Sequence, residues 1–108
     1  MATTIQTMNV QKRYLTEQWH DAQDSYAITN PATGKAVAEV ANCGVLEATQ
    51  AADISMNAFM SWKETTAYER AQLLETWHEL ILANSDLLAQ TMTAEMGKPI
   101  KEARGEVG

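Results

Sequence analysis

Cysteine and proline are scarce in this chain of 108 residues, which holds one Cys and two Pro. The lone Cys43 excludes an internal disulfide framework and any all-cysteine metal site, and it suits a reducing compartment. Basic side chains are outnumbered, eight Lys and Arg against fourteen Asp and Glu, giving a net charge of -6. Affinity for nucleic acid is built from clustered Lys and Arg, and here they are scattered, which argues against such a partner. No apolar run approaches the roughly 18 to 20 residues that a membrane span needs. The polar start Met1-Ala2-Thr3-Thr4-Ile5-Gln6-Thr7 also lacks a basic region followed by an apolar one. These absences predict a soluble, cytoplasmic protein with no membrane partner. Glycine-rich phosphate loops are missing too, both Gly-x-Gly-x-x-Gly and Gly-x-x-x-x-Gly-Lys-Ser/Thr. A chain this short supports one compact unit and is too small to hold a dinucleotide and a second substrate together.

What is present divides near Gly44. Residues 1–12 are rich in Thr, Gln and Asn with no apolar period, and read as a leader; 13–108 form the structured unit. Arg13 to Trp19 mixes aromatic and polar residues near period 2, predicting one short strand that runs into a turn over Asp21–Ser25. Tyr26-Ala27-Ile28-Thr29 starts a second strand and Ala36–Ala41 makes a third, around the turn Asn30-Pro31-Ala32-Thr33-Gly34-Lys35. After Gly44 the period becomes helical. Val45, Ala48, Ala52, Ser55, Phe59 and Trp62 form one stripe, large at its ends and small in its middle. Thr66-Ala67-Tyr68-Glu69 is a capping box, so a second helix starts at Ala67; its apolar set Ala71, Leu74, Trp77 and Ile81, flanked by Leu73 and Leu80, is wide enough to be covered on more than one side. Asn84-Ser85-Asp86 ends that helix and caps a third, with stripe Leu87, Leu88, Thr91, Met92 and Glu95. Gly97 stops it in a left-handed conformation, and Pro99 opens a fourth helix at its first position. That helix is still in pattern at Gly108, which predicts either a fraying end or a sequence that continues.

Candidates for chemistry are few. Cys43 precedes a helix start, where a thiolate is favoured, but no base and no oxyanion site accompany it, so it reads as structural or incidental. His78 follows Trp77 and reads as the edge of a packed stripe; His20 reads as an exposed strand residue. Two distant His and one Cys make no metal site. Asn30–Lys35 and Gly97-Lys98-Pro99 hold Gly and Lys in turns as an anion site does, yet a tight turn and a helix stop explain them. Glu75 and Glu79 read as a solvated face, and Phe59, Trp62 and Trp77 as core rather than a cofactor box. No catalytic, cofactor-binding or metal-binding residue emerges.

The order of motifs carries more than any one of them. Asn30-Pro31-Ala32-Thr33-Gly34-Lys35 comes first, then Ala58-Phe59 with Trp62, then Glu69-Arg70 with Leu73-Leu74 and Trp77. Glu95-Met96-Gly97-Lys98-Pro99 and Glu102-Ala103-Arg104-Gly105-Glu106-Val107 follow. Over residues 14–108 this series resembles the N-terminal part of the NAD(P)-dependent aldehyde dehydrogenase superfamily, with the nearest likeness to succinate-semialdehyde dehydrogenases. The resemblance implies an α+β fragment, a hairpin and short strands followed by three to four helices, taken from an α/β fold and mostly helical by itself. The parent enzyme is expected to be an oligomer that oxidises an aldehyde, succinate semialdehyde by the nearest likeness, to the acid. It does so through a thiohemiacetal on cysteine and hydride transfer to NAD or NADP. The nucleophilic Cys, the base Glu, the oxyanion Asn and the dinucleotide contacts of the superfamily have no counterpart in residues 1–108. Cys43 is not in the nucleophile's motif, and no cofactor is expected on this segment. Leu15-Thr16-Glu17-Gln18-Trp19 stands where many members have Ile-Asn-Gly-x-Trp, so the first hairpin turn is expected to differ. The wide stripe of Leu73, Leu80 and Ile81 is expected to lie against a Rossmann-like sheet; without it the segment exposes an apolar patch and self-associates. The competing reading is a free-standing helical interaction module that docks onto a full-length relative.

Overall fold

The computed structural model describes residues 23–108 with their side chains, and before them the backbone of three short strands over 9–10, 12–15 and 18–21. The strands are β1 (Asn9–Val10), β2 (Lys12–Leu15), β3 (Gln18–Asp21), β4 (Ser25–Thr29) and β5 (Ala36–Ala41). Four helices follow: α1 (Val45–Trp62), α2 (Ala67–Ala83), α3 (Ser85–Met96) and α4 (Ile100–Val107). This is the α+β arrangement that the change of period at Gly44 predicts. One sequence expectation fails before it. The stretch from Arg13 to Trp19 is not one strand but parts of two, β2 and β3, paired antiparallel with Tyr14 opposite Trp19 and Leu15 opposite Gln18. Alternation near period 2 does not show where one strand ends and its partner begins. Residues 1–8 of the expected leader lie outside the described residues, but Asn9 and Val10 within it already pair in parallel with Glu39 and Val40.

The central sheet has the order β1-β5-β4. Its β4–β5 hairpin is fastened at both ends. At the open end Asn42 donates from its backbone N–H to the Asp24 carbonyl (2.9 Å) and from Nδ2 to Asp24 Oδ2 (3.0 Å). At the turn the Asn30 N–H donates to the Lys35 carbonyl (2.9 Å), and Gly34 takes φ 70°. The register steps between Ile28 and Thr29, which face Ala38 and Ala36. Val37 is therefore an extra residue on β5, and Ala38 is the strand's buried residue.

Among the helices, α3 and α4 pack on each other, and each contributes a fully buried alanine, Ala89 and Ala103. Methyl side chains let two backbones approach closely, which suits a helix pair joined by the short turn Gly97-Lys98-Pro99. Gly97 has φ 79°, as a helix stop requires, while Pro99 is the N-cap with ψ 135° rather than the first helical residue. Its ring fixes φ but leaves ψ free to be extended. A Cβ on Gly97 would lie 2.9 Å from Pro31 Cγ, so the α3–α4 turn rests on the tip of the β4–β5 hairpin.

Between these anchored ends α1 and α2 stand out as an arm and do not lie along each other. Core formation is correspondingly thin: among the described residues the buried apolar side chains are Ala38, Ala89 and Ala103. Phe59, Trp62 and Trp77, which the helical stripes predict as core, are 51%, 41% and 63% exposed. Helical periodicity identifies which face is apolar but not whether anything covers it. No described helix is long and apolar enough to cross a membrane.

Candidate functional site

The corner between α1 and α2 holds the densest polar network among the described residues. α1 ends as Lys63, Glu64 and Thr65 donate backwards to Phe59, Ser61 and Trp62, and the Thr65 hydroxyl donates to the Trp62 carbonyl at 2.6 Å. Thr66 then caps α2. Its N–H and hydroxyl both donate to Glu69 Oε2 (2.7 and 2.9 Å), and its Oγ1 accepts from the Glu69 N–H at 3.2 Å. These bonds, backbone first and the Thr66 hydroxyl second, hold the Glu69 carboxyl below its ordinary value of 4.5, with the neighbouring Arg70 adding to the effect. Arg70 Nη1 donates to the Thr65 carbonyl at 2.6 Å. One guanidinium thereby closes the end of α1 from within α2. Beside the corner Ser55, Ala58, Phe59, Ser61, Trp62 and Thr65 line an open apolar groove.

The residues singled out for chemistry do not converge on it. Cys43 is exposed and free, two positions before α1, where Gly44 donates its N–H to Glu47 Oε2 at 2.9 Å. His78 is exposed on α2, as are Glu75 and Glu79. His20 stands opposite Arg13 in β3, and its side chain lies outside the described residues. No group of three His, Cys, Asp or Glu gathers among the described residues in a way that could hold a metal ion.

Both turns with anion-site character spend their donors internally. In Asn30–Lys35 the Ala32 N–H donates to Asn30 Oδ1, those of Thr33 and Gly34 to the Asn30 carbonyl, and that of Lys35 to Thr33 Oγ1. No row of free amides is left to surround a phosphate. In the second turn Lys98 Nζ is paired with Glu106 Oε1 at 2.6 Å, so its charge is answered within α4. Sequence reasoning missed the Lys98–Glu106 pair and the contact of Pro31 with Gly97. The first is eight positions apart and the second spans most of the chain, so no local spacing reveals either.

The profile of the aldehyde dehydrogenase family matches residues 19–108. The mitochondrial succinate-semialdehyde dehydrogenase of Hylobates lar is 46% identical over 90 residues, covering 83% of this chain and 17% of that protein. The 3-sulfolactaldehyde dehydrogenase of Pseudomonas putida is 47% identical over 88 residues, covering 82% and 18%. Among solved structures, the succinate-semialdehyde dehydrogenase of Burkholderia pseudomallei superposes with a TM-score of 0.86 at 34% identity, over 99% of this chain and 22% of that one. The chain thus spans about a fifth of the length of the proteins it matches.

Proposed function

The chain belongs to the aldehyde dehydrogenase family, and from that premise we propose that its 108 residues are the leading layer of an NAD(P)-dependent enzyme that oxidises succinate semialdehyde to the acid. In this reading 13–108 are the hairpin and helical layer that opens the coenzyme-binding domain, preceded by a leader over 1–12. The parent is a cytoplasmic homo-oligomer that holds NAD or NADP, with neither nucleic acid nor membrane as a partner. The nicotinamide, when bound, accepts hydride from the substrate adduct; the residues here supply no catalytic, cofactor or metal group. Their contribution is a rigid corner and an apolar surface against which the remaining four-fifths is laid. The observation that carries this is the exposure of α1 and α2, whose largest apolar side chains face outward in a chain matched along most of its length to a much larger enzyme.

Succinate semialdehyde is favoured because relatives bearing that name recur at 43 to 46% identity, although a sulfolactaldehyde enzyme is equally similar. The test is a chimera in which residues 19–108 replace the matched segment of the Burkholderia pseudomallei enzyme. Reduced-coenzyme formation with succinate semialdehyde should persist within about tenfold of the parent, that is, within about 1.4 kcal/mol of transition-state stabilisation. A folded chimera without activity overturns the reading. Aldehyde-dependent turnover by the 108-residue chain alone would overturn it as well.

A further inference from the structure

Residues 63–66 separate α1 from α2, and every backbone N–H among them is bonded: those of Lys63, Glu64 and Thr65 to the carbonyls of Phe59, Ser61 and Trp62, and that of Thr66 to Glu69 Oε2. Thr65 is the joint between the two helices. Backward, its N–H and its hydroxyl both donate to the Trp62 carbonyl, at 3.1 and 2.6 Å. Forward, its carbonyl and its Oγ1 accept from Arg70 Nη1, at 2.6 and 3.3 Å. A linker whose donors are all engaged has given up the φ/ψ freedom by which two joined helices pivot. The anchored ends of the arm keep α1 and α2 from closing on each other, but the bend itself is left to these residues, because the two helices do not lie along each other.

We propose that the α1–α2 corner is a preset elbow with Arg70 as its positioning residue. It presents the apolar face of α1, at Phe59 and Trp62, and that of α2, at Leu74 and Trp77, at one fixed angle before the rest of the enzyme is laid on them. A surface ordered in advance avoids the cost of ordering it on association. Arginine suits the place because its charge is permanent and its donors are held in a rigid plane, whereas a lysine ammonium rotates on a flexible stem. The use assigned to the elbow rests on the proposed function, but the elbow itself is measured in the free chain, where neither outcome of the chimera bears on it.

The experiment is double electron–electron resonance on the 108-residue chain carrying Glu79→Cys, with spin labels on that cysteine and on the native Cys43. Both positions are exposed, one on α2 and one just before α1, so the distance between them reads the bend. The expected result is one narrow distance peak. Arg70→Ala should abolish it in favour of a broad distribution, with helix content unchanged by circular dichroism. Thr65→Val, which keeps the side chain's shape and removes its hydroxyl, should broaden the peak by less, since the Thr65 carbonyl still accepts from Arg70; if Arg70→Ala loses helix, this variant decides. Arg104→Ala, which removes a pair with Asp86 outside the arm, should leave the peak in place. A broad or multiple distribution with Arg70 and Thr65 intact, a narrow peak that neither substitution changes, or equal broadening by Arg104→Ala would each overturn the proposal.

Discussion

Gly97 is required twice over at one position. Its φ of 79° is a conformation that L side chains rarely adopt, and the space a Cβ would occupy is taken by the Pro31 ring at 2.9 Å. Gly97→Ala should therefore cost about 1–3 kcal/mol in urea unfolding. Because the two causes are physically separate, Pro31→Ala in the same chain should restore the steric share and leave the backbone share, a coupling that a double-mutant cycle measures. Gly34 shares the left-handed backbone, at φ 70°, but nothing lies within 4 Å of where its Cβ would be, so substitution there meets the conformational cost alone. The glycine stop at Gly97 is legible in the sequence from its place before Lys98-Pro99. The Pro31 contact is not, because it depends on how the hairpin and the α3–α4 turn meet.

At the scale of elements, α2 begins where its capping box says it should, and the same residues make it sensitive to acid. The folded pKa of Glu69 is lowered by the bonds from Thr66. The stability it brings is thus fully present above the ordinary glutamate value and is lost as pH falls through the lowered one. Thr66→Ala should cost about 1 kcal/mol at neutral pH. Glu69→Gln should flatten the fall in helix stability on acidification, as followed by thermal melts across that range. The positions of β4, β5 and all four helices were legible because each has a period together with a start or stop residue. The α3 start was legible for a partly different reason from the one that operates: the Asn84 side chain donates back to the Leu80 carbonyl at 2.8 Å instead of capping α3. The break between β2 and β3 carries no glycine or proline, so period alone ran across it, and only the family resemblance set a hairpin turn at Leu15–Trp19. The reading of Phe59, Trp62 and Trp77 as core failed for a non-local reason, since burial needs a neighbouring layer and periodicity records only a face.

For the molecule as a whole, the radius of gyration is 17.0 Å with extents of 47 × 34 × 19 Å, whereas a compact domain of this length has about 13 Å. Small-angle scattering extrapolated to the monomer should stay near the larger figure and not contract toward the smaller. Contraction would mean that α1 and α2 fold back on themselves to bury their own apolar faces. The arm is held open by what anchors it, with the sheet at one end and the packed α3–α4 pair at the other. The rest of Pro31 against Gly97 joins those ends across about 65 residues of sequence, and closing so long a loop carries an entropic cost that only the arm's prior ordering reduces. We expect that contact to form late, after the rate-limiting barrier. Its loss should appear as faster unfolding with an almost unchanged refolding rate, which would make a glycine and a proline far apart in sequence determinants of how long the native state lasts rather than of how quickly it forms.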